Sequence, residues 1–403
     1  MNIVLQTSRR HQLCVSRNTL HVSRFTFHVS RNTQHATRNT HPNRPSERAI
    51  ALIIVMISIF VLTMLAAGFA YSMKVETKLA MNGNNETELE WLGRSGVEYA
   101  RWVLAQQMNI PQEPYDALNQ VWAGGQGGIG TSNSPLVNVQ NPIQLGRGTF
   151  TWKIVDLERK ININTAGEPL MTQALTLMGV DPSDMTPIIN SIFDWIDPDS
   201  NTRVQGAETE FYQSLDPPYV AKNGPIDDIS ELQFIKNMTP ELYWGQASTN
   251  HPPAAFQPGG HKFGFGNQAP VINSGFVDLF TPISSGQINI NTASAEVLQC
   301  IPGIDANAAA AIVAGRSGED DGSGLLGPYR TLSDLRRVPE LPLAIQGPLG
   351  QYCGTRSRTF QVTVHAEVGG SSRDFVAILG RNSPRDVQVL SFYWTESANP
   401  AAH

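Results

Sequence analysis

The strongest pattern in the chain is apolar and lies near its start. From Ala49 to Met73 no side chain is charged, and Ile50-Ala51-Leu52-Ile53-Ile54-Val55-Met56-Ile57-Ser58-Ile59-Phe60-Val61-Leu62 is close to continuous hydrocarbon. About 20 helical residues at ~1.5 Å rise cross a ~30 Å bilayer core, so residues 50–73 are predicted to span a membrane. The helical pattern continues through Ser72 to Ala80 and from Trp91 to Leu104. On that extension Val97, Ala100, Val103 and Leu104 form an apolar stripe, a face that must be covered.

Period-two alternation marks strands at Thr149 to Val155, Thr359 to Ala366, Asp374 to Leu379 and Val387 to Trp394, with Gly369-Gly370-Ser371-Ser372 as a hairpin connection. Between the first two strands the pattern is helical and duplicated. Ile161-Asn162-Ile163-Asn164-Thr165-Ala166 recurs without change as Ile288-Asn289-Ile290-Asn291-Thr292-Ala293. In each copy the Asn-Thr pair is the expected cap of a helix, Pro169 to Met178 or Ala295 to Cys300. A Gly turn follows, then a second helix (Ile188 to Ile196; Ala308 to Ala314), then a closing helix start at Asp228 to Leu232 or Thr331 to Leu335. These are two helix-hairpin-helix, SAM-like units.

The predicted fold is therefore α+β: a long N-terminal helix packed on a small antiparallel sheet, with two helical domains inserted between its strands. The expected organisation is a leader (1–49), a transmembrane helix (50–73) and a discontinuous sheet domain (74–157 and 355–398). The insertions are a first helical domain (158–250), a linker (251–287) and a second helical domain (288–350).

Composition sets limits. With 403 residues, 41% hydrophobic and 16% charged, and with 34 Gly and 26 Pro, the chain suits a loop-rich, multi-part globular body. Its formal charge of −6 hides an asymmetry: the first 49 residues hold eight Arg and one Glu, which leaves −13 for the rest. Such a body is a poor binder of nucleic acid. The leader repeats with a seven-residue step that aligns Val15, Val22, Val29 and Ala36, but it lacks a second apolar heptad position and reads as low complexity. Arg44 and Arg48 precede the span, while Lys74 and Glu76 follow it in mixed sign. This bias puts the N-terminus in the cytoplasm and the body in the periplasm. A signal peptide cut near Ala66-Ala67-Gly68 is the competing reading, and the helical continuation speaks against it. Cysteines at 14, 300 and 353 lack metal-ligand spacing, and Cys300 and Cys353 are either buried small hydrophobes or a disulfide pair.

Arg48-Ala49-Ile50-Ala51-Leu52-Ile53-Ile54-Val55 resembles a prepilin cleavage region, with Ala49 before the cut, where most pilins have Gly, and Ile50 as the mature N-terminus. Ile54 stands where other pilins and pseudopilins carry Glu. Together with the two Asn-Thr-Ala strings, Asp194-Trp195-Ile196-Asp197-Pro198-Asp199 and Gly206-Ala207-Glu208, these features make Arg48 to Trp394 resemble the K component of the minor pseudopilins of type II secretion systems. The resemblance implies an inner-membrane assembly subunit without catalysis, processed by prepilin peptidase. It also implies a place at the pseudopilus tip, with the I and J minor pseudopilins as partners packed on the apolar face of residues 75–104, the stripe of Val97, Ala100, Val103 and Leu104. A carboxylate buried among apolar helices is unfavourable unless it meets a partner such as a neighbouring subunit's amine, and a terminal subunit has no need of that pairing.

The first helical copy differs from the second by an acidic insertion. Asp197, Asp199, Asn201, Arg203 (through its carbonyl) and Glu208 fall at positions one, three, five, seven and twelve of an EF-hand-like loop, although Thr202 replaces the usual Gly at position six. Hard oxygen donors at this spacing suit calcium, and the resemblance favours it over a plain solvated turn. A rival reading takes the second copy, with Pro302-Gly303-Ile304 and Arg316, as a DNA-binding helix-hairpin-helix. Against it stand Asp305 and Glu319-Asp320-Asp321. No histidine, serine or carboxylate pair has a catalytic setting.

Overall fold

The computed structural model describes residues 46–127, 134–245, 272–317, 327–342, 345 and 347–395, with the side chains of 46–49 and 82 excepted. The low-complexity repeat, its histidines and Cys14 lie outside them. The chain divides into two units, one ending at Met73 and one beginning at Lys74.

Helix α1 runs from Ser46 to Gln107. In the first unit its residues 50–73 are exposed throughout, and among the described residues α1 is the one helix long and apolar enough to cross a membrane. In the second unit, one side of α1 packs on a five-stranded antiparallel sheet. Strands β1 (Ile143–Leu145) and β2 (Gly148–Asp156) precede the insertion, and β7 (Thr359–Val368), β8 (Ser371–Ser383) and β9 (Asp386–Thr395) follow it. The spatial order is β1-β2-β7-β8-β9, so β2 and β7 are neighbours across the whole inserted stretch. Every expected strand is present.

The stripe predicted to meet partners is a correction. Val97, Ala100, Val103 and Leu104 are at most 3% exposed. They pack with Leu89 and Leu92 against Phe150, Phe360, Val362, Val364, Phe375 and Ala377 of the sheet. The sheet needs cover for its apolar face, and this stripe is the nearest cover within the same chain. Approach is close because two positions on α1 lack side chains: a Cβ on Gly93 would lie 2.4 Å from the Phe375 ring, and one on Gly96 2.5 Å from Val364. Alanine favours a helix over glycine by about 1 kcal/mol, whereas overpacking a core costs about 1–3 kcal/mol. The Gly93→Ala, Gly96→Ala double variant is accordingly expected to unfold at lower denaturant with an unchanged slope. A raised midpoint would mean that α1 can move off the sheet freely.

The insertion contains β3 (Ile161–Asn162), α2 (Glu168–Leu177), α3 (Pro182–Ile196), α4 (Thr209–Gln213), α5 (Pro240–Trp244), α6 (Phe276–Leu279) and β4 (Phe280–Thr281), and then β5 (Ile288–Asn289), α7 (Ala295–Gln299), α8 (Ala306–Ser317) and β6 (Cys353–Gly354). The linker assignment for 251–287 is corrected in part. Residues 246–271 lie outside the described residues, but α6 and β4 belong to the first module, where β4 pairs in parallel with β3. β6 closes the second module on β5 in the same way. Nor do the modules have separate interiors. Buried residues from Ile161 to Cys353 form one apolar cluster, and the two expected insertions share a core.

The capping role expected for the Asn-Thr pairs is also corrected. Gly167 and Ser294 precede α2 and α7 as their N-caps. Asn164 instead clamps the backbone of Ile226, accepting from its N–H at 2.7 Å and donating to its carbonyl at 2.9 Å. Asn291 does the same to Tyr329, at 2.8 and 2.9 Å. Ile226 and Tyr329 each lie two residues before the cap of the closing 3₁₀ turn, Asp228 or Thr331. The string recurs because each module needs this clamp to hold its last turn against its first strand. Cys300 and Cys353 are unpaired and buried, with burial pushing both thiols up to about 12.

Candidate metal centre

The acidic loop links α3 to α4. Asp194, fully buried in the last turn of α3, shapes it: its carboxylate accepts from the Arg203 N–H at 3.2 Å and from the Ala207 N–H at 2.8 Å. Gly206 lies so close beneath that a Cβ there would sit 2.0 Å from Asp194 Oδ2. Asn190 donates to the Val204 carbonyl at 2.9 Å, and Lys236 to the Gly206 carbonyl at 3.0 Å. A T-shaped contact between Trp195 and Tyr212, centroids 5.3 Å apart, and the stack of Tyr212 on Tyr219 form the apolar floor.

On this frame the carboxylates of Asp197, Asp199 and Glu208 converge, with one oxygen of each within 4.8 Å of the others. Like charges held so close repel, and they do so more strongly in a partly dry setting. Burial raises the Glu208 carboxyl above its ordinary range, and Asp194, Asp197 and Asp199 raise it further. Asp197 Oδ1 and both Glu208 oxygens are buried with no hydrogen-bond partner. Orphaned anionic oxygens on a loop held by these hydrogen bonds, all hard donors, fit a calcium-like cation and do not fit a soft metal.

Of the five expected ligands, the structure brings three together. Asn201 is exposed, and its N–H donates to Asp199 Oδ1 at 2.8 Å. The Arg203 carbonyl accepts from Gly206 N–H at 2.9 Å, and its guanidinium pairs with Asp197 at 3.1 Å over the Phe193 ring. Both residues shape the loop. Two participants carried no assigned role in the sequence. Asp194 stood visible within the acidic string. Asn223 is recruited from 24 residues beyond Asp199, whose carbonyl it meets at 2.5 Å, while its own Oδ1 is buried and orphaned.

Residues expected for other roles are placed as follows. Ala49 and Ile50 lie in the first turns of α1, Ile50 exposed and the Ala49 side chain outside the described residues. In the second module, Asp305 caps α8 by accepting from Ala308 N–H at 2.8 Å, and Arg316 donates to the Ile290 carbonyl at 2.5 Å. The hairpin thus uses an acidic residue of its own where a phosphate would sit, and the basic side chain serves the interior.

A family model for type II secretion system protein K matches residues 153–245, and one for the helix-hairpin-helix motif matches 284–344. The putative type II secretion system protein K of Escherichia coli K12 is 26% identical over 211 residues, 49% of this chain and 60% of that protein. Protein K of Klebsiella pneumoniae is 25% identical over the same shares, and that of Pseudomonas aeruginosa 24% identical over 48% and 58%. The chain thus spans about 60% of the length of these curated relatives. The structure superposes, with a TM-score of 0.53 and 16% identity over 79% of this chain and 99% of the other, on a chain of the GspK-GspI-GspJ complex from the type 2 secretion system of enterotoxigenic Escherichia coli, a likeness of fold. Residues 153–245 thus match the type II secretion system protein K model, and the chain is similar to proteins K in sequence over about half its length and in fold over most of it.

Proposed function

We propose that the protein is a minor pseudopilin, a structural subunit anchored in the inner membrane by residues 50–73 with its body in the periplasm, and that it caps the pseudopilus tip. The observation that carries this reading is the architecture: an apolar-started helix covering a small antiparallel sheet, enlarged by a helical insertion too bulky for a laterally repeating subunit. Ile54 in place of a carboxylate supports a terminal position, as does the solved GspK-GspI-GspJ complex, whose partners suggest the I and J minor pseudopilins for this chain. Their surface here is the exposed side of α1, where Trp91 and Trp102 are 66% and 41% exposed. The acidic loop is the proposed calcium site, its ligands Asp197, Asp199, Glu208 and Asn223. A nucleic-acid reading draws on the helix-hairpin-helix match alone, and the disposition of Asp305 and Arg316 weighs against it.

Co-expression with the I and J subunits of the same system is the test. The full chain should co-purify with both, and Trp91→Glu, Trp102→Glu should release them while leaving the circular dichroism spectrum unchanged. Mass spectrometry of the membrane-purified protein should give Ile50 as the first residue, through cleavage by prepilin peptidase after Ala49. Binding to neither partner, or labelling along the whole fibre, would refute the tip assignment.

A further inference from the structure

The two copies of the duplicated string share the Asn clamp but differ in where their other polar groups point. In the first copy Asn162 donates to the Ser284 carbonyl at 2.8 Å, near its own module. In the second, Asn289 reaches into the sheet domain, to the Asp116 carbonyl at 3.0 Å, Asp156 Oδ2 at 3.2 Å and Ser357 Oγ at 2.7 Å. Thr292 Oγ1 donates to the same Asp156 oxygen at 2.5 Å, and Ser357 Oγ at 2.6 Å. Asp156 ends β2, and Ser357 lies just before β7. One carboxylate oxygen at the end of β2 therefore gathers donors from the second module and from the segment entering β7, and Asp156, Asn289, Thr292 and Ser357 are all at most 2% exposed.

The charges around this oxygen do not balance. Asp116, on the segment after α1, accepts from the Ser357 N–H and pairs with Arg381 of β8, the buried guanidinium of the cluster. Glu158, 1% exposed, accepts from the Arg358 N–H at 2.8 Å, while the Arg358 residue itself is exposed. Once Arg381 is matched to Asp116, Asp156 and Glu158 remain, two buried carboxyls two residues apart with no buried cation for either among the described residues. Burial pushes Asp156 up to about 6, aided by the charge of Asp116, and Glu158 up to about 7, aided by the charge of Asp156.

We propose that this cluster is a proton-operated clasp: a proton held by Asp156 and Glu158 locks the second helical module onto the sheet, and its release to solvent loosens that joint. Detached, both carboxyls face water and return to about 4, so the joined form holds the proton more tightly. Attachment is then strongest below the detached value, weakens as pH rises from about 4 through the raised values of about 6 and 7, and levels off above them.

Hydrogen exchange of the full chain in detergent micelles, followed by mass spectrometry, reads the joint directly. After correction for intrinsic exchange, opening of the peptide covering 288–292 should increase between pH ~4 and ~7, by up to about tenfold per pH unit for each proton released, and level off above that, while the α2–α3 peptide stays level. Glu158→Gln keeps an oxygen for the Arg358 N–H and removes the charge, so it should reduce the slope of the 288–292 profile, Asp156→Asn should do so independently, and the two together should flatten it. A wild-type profile parallel to that of α2–α3, or a slope that survives the Asp156→Asn, Glu158→Gln double variant, overturns the clasp. Because no partner subunit enters this measurement, its failure leaves the pseudopilin reading untouched, and the reverse also holds.

Discussion

Replacing Arg381 with Met is expected to cost about 3–5 kcal/mol, because removing one member of a buried ion pair strands the other. The guanidinium pairs with Asp116, donates to the Ser357 carbonyl at 2.8 Å and lies 4.6 Å from the Phe360 ring centroid, with the side chain 1% exposed. A domain of this kind has about 5–15 kcal/mol in total, so the variant should fold marginally at best. Arg381→Met with Asp116→Asn should recover part of the loss, since the stranded charge is then gone. Denaturant unfolding of the single and double variants decides it. A single-variant loss below about 1 kcal/mol would mean that water reaches Asp116 and that the pair does not hold α1, β8 and the Ser357 segment together.

Calcium is expected to raise the melting temperature of the wild-type chain by about 5–10 °C when present at a hundredfold excess over its dissociation constant. A ligand that binds only the folded state adds about 2.7 kcal/mol at that excess, and about 2–4 °C follows from each kcal/mol at this body's size. The structural reason is local. Without a cation, Glu208 keeps two buried oxygens unmatched beside Asp194, Asp197 and Asp199, so binding removes a penalty as well as adding bonds. Asp197→Ala with Glu208→Ala should abolish the response, and it should melt closer to the wild type in chelator than in calcium. If the double variant responds to calcium as the wild type does, the ion binds elsewhere. Asn223→Ala should reduce the response without abolishing it, because Asn223 offers a single oxygen.

Much of this architecture was legible because local pattern and local geometry coincide. The apolar run of residues 50–73, the alternation of the strands and the identical hexapeptides are short-range signals, and the structure has a helix, strands and repeated units at those places. The acidic loop was legible in part for the same reason: Asp197, Asp199 and Glu208 lie within one turn of chain, so their spacing alone brings them near.

What the sequence left open depends on which surface meets which. The stripe of Val97, Ala100, Val103 and Leu104 reads as a binding face in isolation, and only the presence of the sheet turns it into core. An amphipathic pattern states that a face must be covered and is silent on whether the cover comes from the same chain. The Asn residues of the hexapeptide are good caps by propensity, yet a clamp to Ile226 or Tyr329 satisfies more donors and acceptors at once, and those partners lie 62 and 38 residues away. Asn223 and the Asp156 cluster were invisible for the same reason. Tertiary structure alone decided them, because hydrogen bonds and charge pairing are set by distance in space, and in this chain that distance is fixed by closing β2 onto β7 across the whole insertion.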